Sequence, residues 1–192
     1  MIRTTPLRRD TASRSRAVDA AAAVLITALV LPLYLATLYP DVVASGDSAK
    51  FQYLGKVLGT AHPPGYPFYI FVSHLFSYLP LGTLAWRMNL LSALAGVLTS
   101  VCTFASARRL GSGVPQSIGI ALALSTGLAF WNKSLAAEVY TLGAAVVAES
   151  YVHDQGLLYM LAGEGVGQAR QIELIQRDAD ALDRARDSRI GW

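Results

Sequence analysis

Three long stretches without a charged side chain constrain this chain more than any other feature. No Asp, Glu, Lys or Arg occurs in residues 20–40, 88–107 or 110–132. Each stretch approaches the roughly 20 apolar residues that a helix needs to cross a bilayer core about 30 Å thick. Only 15% of the chain is charged, against about 25% in an average soluble domain. The sequence therefore predicts an all-α, multi-pass membrane protein.

Basic residues near the start of the chain indicate the orientation of the first helix. Five arginines fall within the first 16 residues, and such charge beside an apolar run is typical of the cytoplasmic side. We therefore expect a disordered basic arm over 1–16, a cytoplasmic N-terminus, a first span over about 17–38 and a location in the cell membrane. A cleaved signal peptide is the alternative, although the apolar run is about twice as long as a usual signal-peptide core. No base-reading pattern accompanies the arginines, so we expect no nucleic-acid partner.

The rest of the chain predicts further membrane helices and a polar tail. The remaining spans are expected at about 86–107, 116–131 and 135–149. The stretch at 68–79 is apolar but has only 12 residues, a length more typical of an interfacial helix than of a span. Residues 150–192 are rich in charge, and 168–186 has the apolar spacing of an amphipathic helix. We therefore expect this last segment to be soluble.

A polar segment at residues 46–67, reading GDSAKFQYLGKVLGTAHPPGYP, separates the first two predicted spans. Phe51, Leu54 and Leu58 recur at helical spacing, which predicts a short amphipathic helix over 48–58 that stops at Gly59. Asp47 stands just before this helix. Its carboxylate can cap the helix, which is worth about 1 kcal/mol, or it can act as general base on an acceptor hydroxyl. The residues alone leave both roles open.

The second half of the same segment is a stiff proline loop. Pro63 and Pro64 fix their own backbone angles, and Pro64-Gly65 suits the centre of a type II turn. A loop of this kind can hold the His62 imidazole against an anionic phosphate near physiological pH. The alternative is a surface histidine beside a structural turn.

Two charged residues stand where apolar runs begin or end. Glu138 lies among apolar residues, where an ionisable group is a candidate for function, although pairing with Lys133 in water would also explain it. Arg87 can bind a lipid phosphate or extend to the headgroups. The histidines and the single cysteine, Cys102, show no metal-ligand spacing, so we expect no structural metal site.

Four motifs, in this order along the chain, resemble one known family. They are GDSxxF from Gly46, LGTAHPPGYPFY from Leu58, WRMNLLSAL from Trp86 and FWNKSLAAEVYTL from Phe130. Over about residues 34–148 the chain resembles multi-pass membrane proteins related to protein O-mannosyltransferases. The resemblance implies the GT-C glycosyltransferase fold, with membrane helices and an extracytoplasmic loop that holds short amphipathic helices.

The resemblance also implies an activity and a set of site residues. It implies transfer of a sugar from a polyprenyl-phosphate donor to an extracytoplasmic acceptor, which we expect to be a protein. It makes Asp47 the general base and implies inversion at the anomeric carbon. It places the proline loop, with His62 and Tyr66, and Glu138 among the substrate-binding residues, to which we add Arg87. It leaves open whether a divalent metal takes part.

Two departures from the family pattern favour a different class of protein. Relatives often carry a second acid three residues after the aspartate, where this chain has Lys50. Relatives also continue with many further spans, so we expect this chain to be truncated. The alternative to a glycosyltransferase is therefore a non-catalytic or degenerate membrane protein that acts as a partner subunit.

Overall fold

The structure, a computed structural model, describes residues 7–153 apart from Ser45, His62 and Pro64. Apart from His153, these residues lie in the first of two compact units of the chain, Met1–Val152. Within the described residues the fold is all-helical, as predicted. The helices are α1 (Leu7–Thr37), α2 (Ser48–Val57), α3 (Pro67–Phe76), α4 (Leu84–Arg109), α5 (Val114–Thr126), α6 (Leu128–Leu135) and α7 (Val139–His153). Beyond the end of α7, the predicted tail over 150–192 lies outside the described residues.

Two of these helices are long and apolar enough to cross a membrane. They are α1, from Ser15 to Thr37, and α4, which agree with the predicted spans at 17–38 and 86–107. The helix α1 nevertheless begins at Leu7, inside the segment that we expected to be disordered. Basic residues are good helix formers, and this segment extends a helix that is already nucleated by its apolar part.

The region of the predicted span over 116–131 is not one continuous helix. Instead, α5 and α6 meet at a bend of 61° and would together make a third span. The break lies at Gly127, whose backbone is extended with φ −61° and ψ 125°. The Tyr34 hydroxyl donates a hydrogen bond of 2.8 Å to the Ser125 carbonyl, one of the last carbonyls of α5, which have no partner within the helix. A hydrogen bond from α1 thus provides a partner for a carbonyl at the end of α5.

The last predicted span, over 135–149, also begins too early. The backbone at Ala136 is extended, with φ −127° and ψ 161°, and α7 begins only at Val139. The N–H groups of Ala137 and Glu138 donate to the side chains of Asn89 and Ser92 on α4, at 2.9 Å and 3.1 Å. These bonds hold the link between α6 and α7 in an extended conformation.

The helices α1 and α4 run antiparallel, which defines two ends of the bundle. Arg108 Nε donates to Asp19 Oδ1 at 2.8 Å at one end, which we call the arginine end. Asn89 Nδ2 donates to the Tyr39 carbonyl at 2.9 Å at the other, which we call the loop end. The pair α5–α6 returns the chain to the loop end, where Tyr39 N–H donates to the Leu135 carbonyl.

The loop helices α2 and α3 pack on α4 at the loop end. Phe51 and Leu54 from α2, Tyr69 and Ile70 from α3, and Met88 from α4 share one buried cluster. The predicted helix at 48–58 is therefore confirmed as α2. The prediction that Leu58 shares the apolar face of Phe51 and Leu54 is wrong. The backbone at Leu58 turns left-handed (φ 51°), and the residue is 57% exposed. The helix α3 has 10 residues, about 15 Å in length, which is half of a bilayer core.

Candidate functional site

Asp47 occupies the N-cap position of α2, but its side chain makes no capping hydrogen bond. Its backbone carbonyl accepts from the N–H groups of Lys50 and Phe51 at 3.0 Å and 3.1 Å. Its carboxylate accepts from Lys50 Nζ at 3.1 Å, and 41% of the side chain stays exposed. The capping interpretation is therefore not supported. An acceptor hydroxyl can reach this carboxylate from water, as a general base requires.

Glu138 lies next to the start of the same helix and is almost completely buried. Its Oε1 accepts from Lys133 Nζ at 3.0 Å and from Ser48 Oγ at 3.2 Å. Only 7% of the residue is exposed. The alternative interpretation, a glutamate in water paired with Lys133, is thus right about the pairing and wrong about the exposure. A buried carboxylate needs an opposite charge and hydrogen bonds to offset the loss of water, and these two donors supply both at Oε1.

The Asn89 carboxamide, one residue away from Glu138 through its bond to Ala137, connects three segments of the chain at the loop end. Its Nδ2 donates to the carbonyls of Tyr39 and Asp41 at 2.9 Å and 3.3 Å. Its Oδ1 accepts from Gln52 Nε2 and from Ala137 N–H, both at 2.9 Å. An asparagine amide has two donors and two acceptor positions, so the fully buried group uses its whole hydrogen-bonding capacity. The loop after α1, the helix α2 and the link to α7 are thereby held in fixed relative positions.

Tyr69 adds a buried hydroxyl from α3 to the same region. Burial raises the pKa of the Tyr69 phenol above its ordinary value of 10.0, and the negative charge of Glu138 raises it further. The hydroxyl has no hydrogen-bond partner in the described part of the chain. The phenol is therefore neutral at physiological pH. A neutral phenol beside a buried carboxylate adds no second negative charge to a region that is poorly hydrated.

The remaining predicted site residues, Arg87, Tyr66 and His62, are not brought into one cluster with Glu138 by any contact that the structure describes. Arg87 NH1 donates to the carbonyls of Ser77 and Leu79 at 2.6 Å and 2.7 Å, and its Nε donates to the Thr83 carbonyl at 3.2 Å. These bonds close the turn between α3 and α4. Tyr66 has a left-handed backbone (φ 49°) at the start of α3. The centroids of the Tyr66 and Phe51 rings lie 5.7 Å apart in an edge-to-face arrangement. His62 lies outside the described residues.

Sequence reasoning missed the polar residues that join the site together. They are Ser48, Gln52, Asn89 and Ser92, all buried. A signal for two of them was present, because Asn89 and Ser92 lie three residues apart in a charge-free run and so share one helix face. Polar side chains on one face of a membrane helix are enriched at contacts between helices. Among the described residues, no group of three or more His, Cys, Asp or Glu is placed to hold a metal ion.

Comparisons with known proteins agree on one family. The family model described as the protein O-mannosyl-transferase TMEM260 N-terminal domain matches residues 47–152, more than half of the chain. The mouse protein O-mannosyl-transferase TMEM260 is 35% identical over 120 residues, which cover 62% of this chain and 17% of that protein. The Dictyostelium discoideum protein O-mannosyl-transferase tmem260 is 36% identical over 72 residues, 36% of this chain and 9% of that protein. The chain thus spans less than a fifth of these relatives, and no solved structure matches it.

Proposed function

Because the chain belongs to the family of the protein O-mannosyl-transferase TMEM260 N-terminal domain, we propose that it forms the N-terminal membrane part of a glycosyltransferase. The proposed reaction transfers a sugar from a polyprenyl-phosphate donor to a hydroxyl group of a protein acceptor. The sugar proposed is mannose, because the mouse and Dictyostelium relatives are named protein O-mannosyl-transferases.

The observation that carries this proposal is the position of the Asp47 carboxylate. It is half-exposed at the start of α2, and α2 is attached to the buried polar groups of α4 through Gln52 and Asn89. In the proposed reaction Asp47 accepts the proton of the acceptor hydroxyl as that oxygen bonds to the anomeric carbon. The bond from that carbon to the donor phosphate breaks, and polyprenyl phosphate leaves. A single displacement of this kind inverts the anomeric configuration.

We further propose that the loop end faces the extracytoplasmic side. The arginine end carries Arg108 and Arg109 in the last turn of α4, and five more arginines stand in the first 16 residues. Charge of this kind favours the cytoplasmic side. The acceptor and Asp47 would then meet outside the cytoplasm.

Replacement of Asp47 by Asn tests the proposed base. The chain would be expressed with the coding sequence that follows it in its genome, and mannose transfer from polyprenyl-phosphate mannose to a protein acceptor would be measured. We expect kcat to fall about 100-fold or more, with KM within a few-fold, because general-base catalysis contributes on that scale. Asp41→Asn is the matched control, since Asp41 is an exposed acid of the same loop. Full activity of the Asp47→Asn protein would refute the role given to Asp47.

The alternative, a non-catalytic partner subunit, is favoured by one contact. Lys50 stands where relatives often carry a second acid, and its ammonium binds the Asp47 carboxylate at 3.1 Å. If a second carboxylate is required for transfer, Lys50→Glu would raise activity. A protein that transfers no sugar with either Lys50 or Glu at this position would support the alternative.

A further inference from the structure

Four lysine and arginine side chains lie at the loop end in the described part of the chain. Three of them contact groups other than Glu138. Lys50 binds Asp47. Arg87 directs its guanidinium at three backbone carbonyls between α3 and α4. Lys56 lies over the ring of Tyr78, 4.8 Å from its centre. The fourth, Lys133, forms the ion pair with Glu138.

The two members of that ion pair differ in their access to a ligand. The Glu138 side chain is only 9% exposed, whereas the Lys133 side chain is 48% exposed. Lys133 and Ser48 both donate to the same oxygen of the Glu138 carboxylate, Oε1. A ligand that approaches from water therefore meets the ammonium of Lys133 before it meets the carboxylate.

We propose that Lys133 binds the phosphate of the polyprenyl-phosphate lipid, and that Glu138 holds Lys133 in place without touching the substrate. This inference rests on the proposed function for the identity of the lipid. It differs from the prediction made from the sequence, in which Glu138 and Arg87 contacted the substrate themselves.

The contacts of Lys133 suit an ammonium that is fixed before its ligand arrives. Glu138 binds it at 3.0 Å, and the face of the Tyr140 ring lies 4.9 Å away. An ammonium has three donors, and charge-assisted hydrogen bonds to phosphate are among the stronger ones in proteins. Holding the side chain in advance lowers the conformational entropy that is lost when the phosphate binds.

The position of Lys133 also suits the proposed chemistry. Ser48 shares the Glu138 oxygen with Lys133 and is the first residue of α2, directly after Asp47. A phosphate on Lys133 would therefore lie near the start of α2, where the positive end of the helix dipole favours an anion. The leaving phosphate would then lie near the start of α2, next to the proposed base Asp47.

Binding of polyprenyl phosphate to the full 192-residue chain tests the inference. The chain would be held in nanodiscs of phosphatidylcholine, with polyprenol, which lacks the phosphate, as the reference ligand. We expect Lys133→Gln to weaken binding of polyprenyl phosphate about tenfold or more, which corresponds to the loss of one charge-assisted hydrogen bond. Binding of polyprenol should change less than twofold.

Lys56→Gln is the matched control, because Lys56 also lies over a tyrosine ring at nearly the same distance. We expect it to change binding less than twofold. Equal losses in the two variants would indicate a general effect of positive charge and would overturn the inference. No loss in Lys133→Gln would also overturn it, as would equally tight binding of phosphatidic acid or displacement by equimolar inorganic phosphate.

A measurement on the unaltered chain covers the case in which Lys133→Gln does not fold. Bound polyprenyl phosphate should slow amine-reactive labelling of Lys133 and leave labelling of Lys56 unchanged, as read by peptide mass spectrometry. Equal labelling rates with and without the lipid would overturn the inference. The binding measurement needs no sugar or acceptor, so its outcome is separate from that of the transfer assay. Lipid binding through Lys133, together with no transfer by the protein expressed with its following coding sequence, would uphold the lysine site and refute the proposed function.

Discussion

The polar side chains that join α4 to other helices differ in burial between the two ends of the bundle. At the loop end, Asn89 is 0% exposed and Gln52 is 3% exposed. At the arginine end, the Asp19 and Arg108 side chains are 35% and 25% exposed. Buried polar groups must find partners within the protein, whereas partly exposed groups can return to water. The loop end is therefore the part of the fold in which geometry is set by hydrogen bonds.

This difference bears on function because the site lies at the loop end. The carboxamide of Asn89 joins segments that are far apart in the chain, and Ala137 is 48 residues away from it. A loss at Asn89 would loosen α2, with Asp47, and the link that carries Glu138 at the same time. The ion pair at the arginine end joins only α1 and α4, which also pack through many apolar side chains.

Asn89→Ala should have the largest effect on stability of the changes considered. It removes the side-chain partner of the buried Ala137 N–H and of the Tyr39 carbonyl. It also leaves the buried Gln52 Nε2 with only the Asp41 carbonyl, at 3.4 Å. We expect a loss of about 3 kcal/mol in the free energy of unfolding, because each unsatisfied buried group costs about 1–3 kcal/mol and some will recover water. Equilibrium unfolding by SDS in mixed detergent micelles would measure the loss.

Asn132→Ala is the control for that experiment. Asn132 is also helical but is exposed, so the two changes share the gain in helix propensity that alanine brings. We expect Asn132→Ala to change stability by less than about 0.5 kcal/mol. Equal effects at the two positions would break the comparison between the ends, because the hydrogen bonds of Asn89 would then contribute no stability.

Gly55→Ala should have the next largest effect, since it separates the two loop helices. A Cβ at Gly55 would overlap Ser73 Oγ and lie 2.9 Å from the Ser73 backbone carbonyl carbon. We expect a loss of about 1–3 kcal/mol, typical of overpacking, in the same SDS unfolding measurement. Gly143→Ala in α7 is the control, because nothing lies within 4 Å of its Cβ position. There alanine should raise stability by up to about 1 kcal/mol. If Gly55→Ala also raised stability, α2 and α3 would not be in close contact.

The parts of the fold that the sequence predicts well depend on local pattern. The charge-free length of α1 and α4 and the apolar spacing of α2 are properties of neighbouring residues, and their positions were predicted to within a few residues, apart from the early start of α1. The bend between α5 and α6 is different in kind. Gly119 and Gly127 stand in the same apolar run, yet only Gly127 interrupts the helix. The Tyr34 hydroxyl that meets the Ser125 carbonyl comes from 91 residues earlier, so no local pattern could reveal it.

The candidate site also has features that the sequence reveals and features that only the tertiary structure reveals. Asp47 stands out in the sequence because it directly precedes a predicted helix, and Glu138 because it is an acid among apolar residues. The burial of Glu138 and the binding of Ala137 to Asn89 depend on how α4 meets the link before α7. The arrangement of Arg87 also depends on tertiary structure, since its carbonyl partners lie in the turn that it closes. Which charged side chain faces water is therefore decided by packing, and sequence patterns give no access to it.

Asp19→Asn at the arginine end should have the smallest effect. Both side chains of the Asp19–Arg108 pair are partly exposed, and ion pairs of this kind contribute about 0.2–1 kcal/mol. Arg108 also keeps its hydrogen bond of 2.6 Å to the Ser112 carbonyl when the carboxylate is neutralised. We therefore expect a loss below about 1 kcal/mol at low salt in SDS unfolding, and a smaller loss at 0.5 M salt, since screening weakens exposed pairs. A loss as large as that of Asn89→Ala, unchanged by salt, would mean that the arginine end is also held by a buried polar contact, and the difference between the two ends would no longer stand.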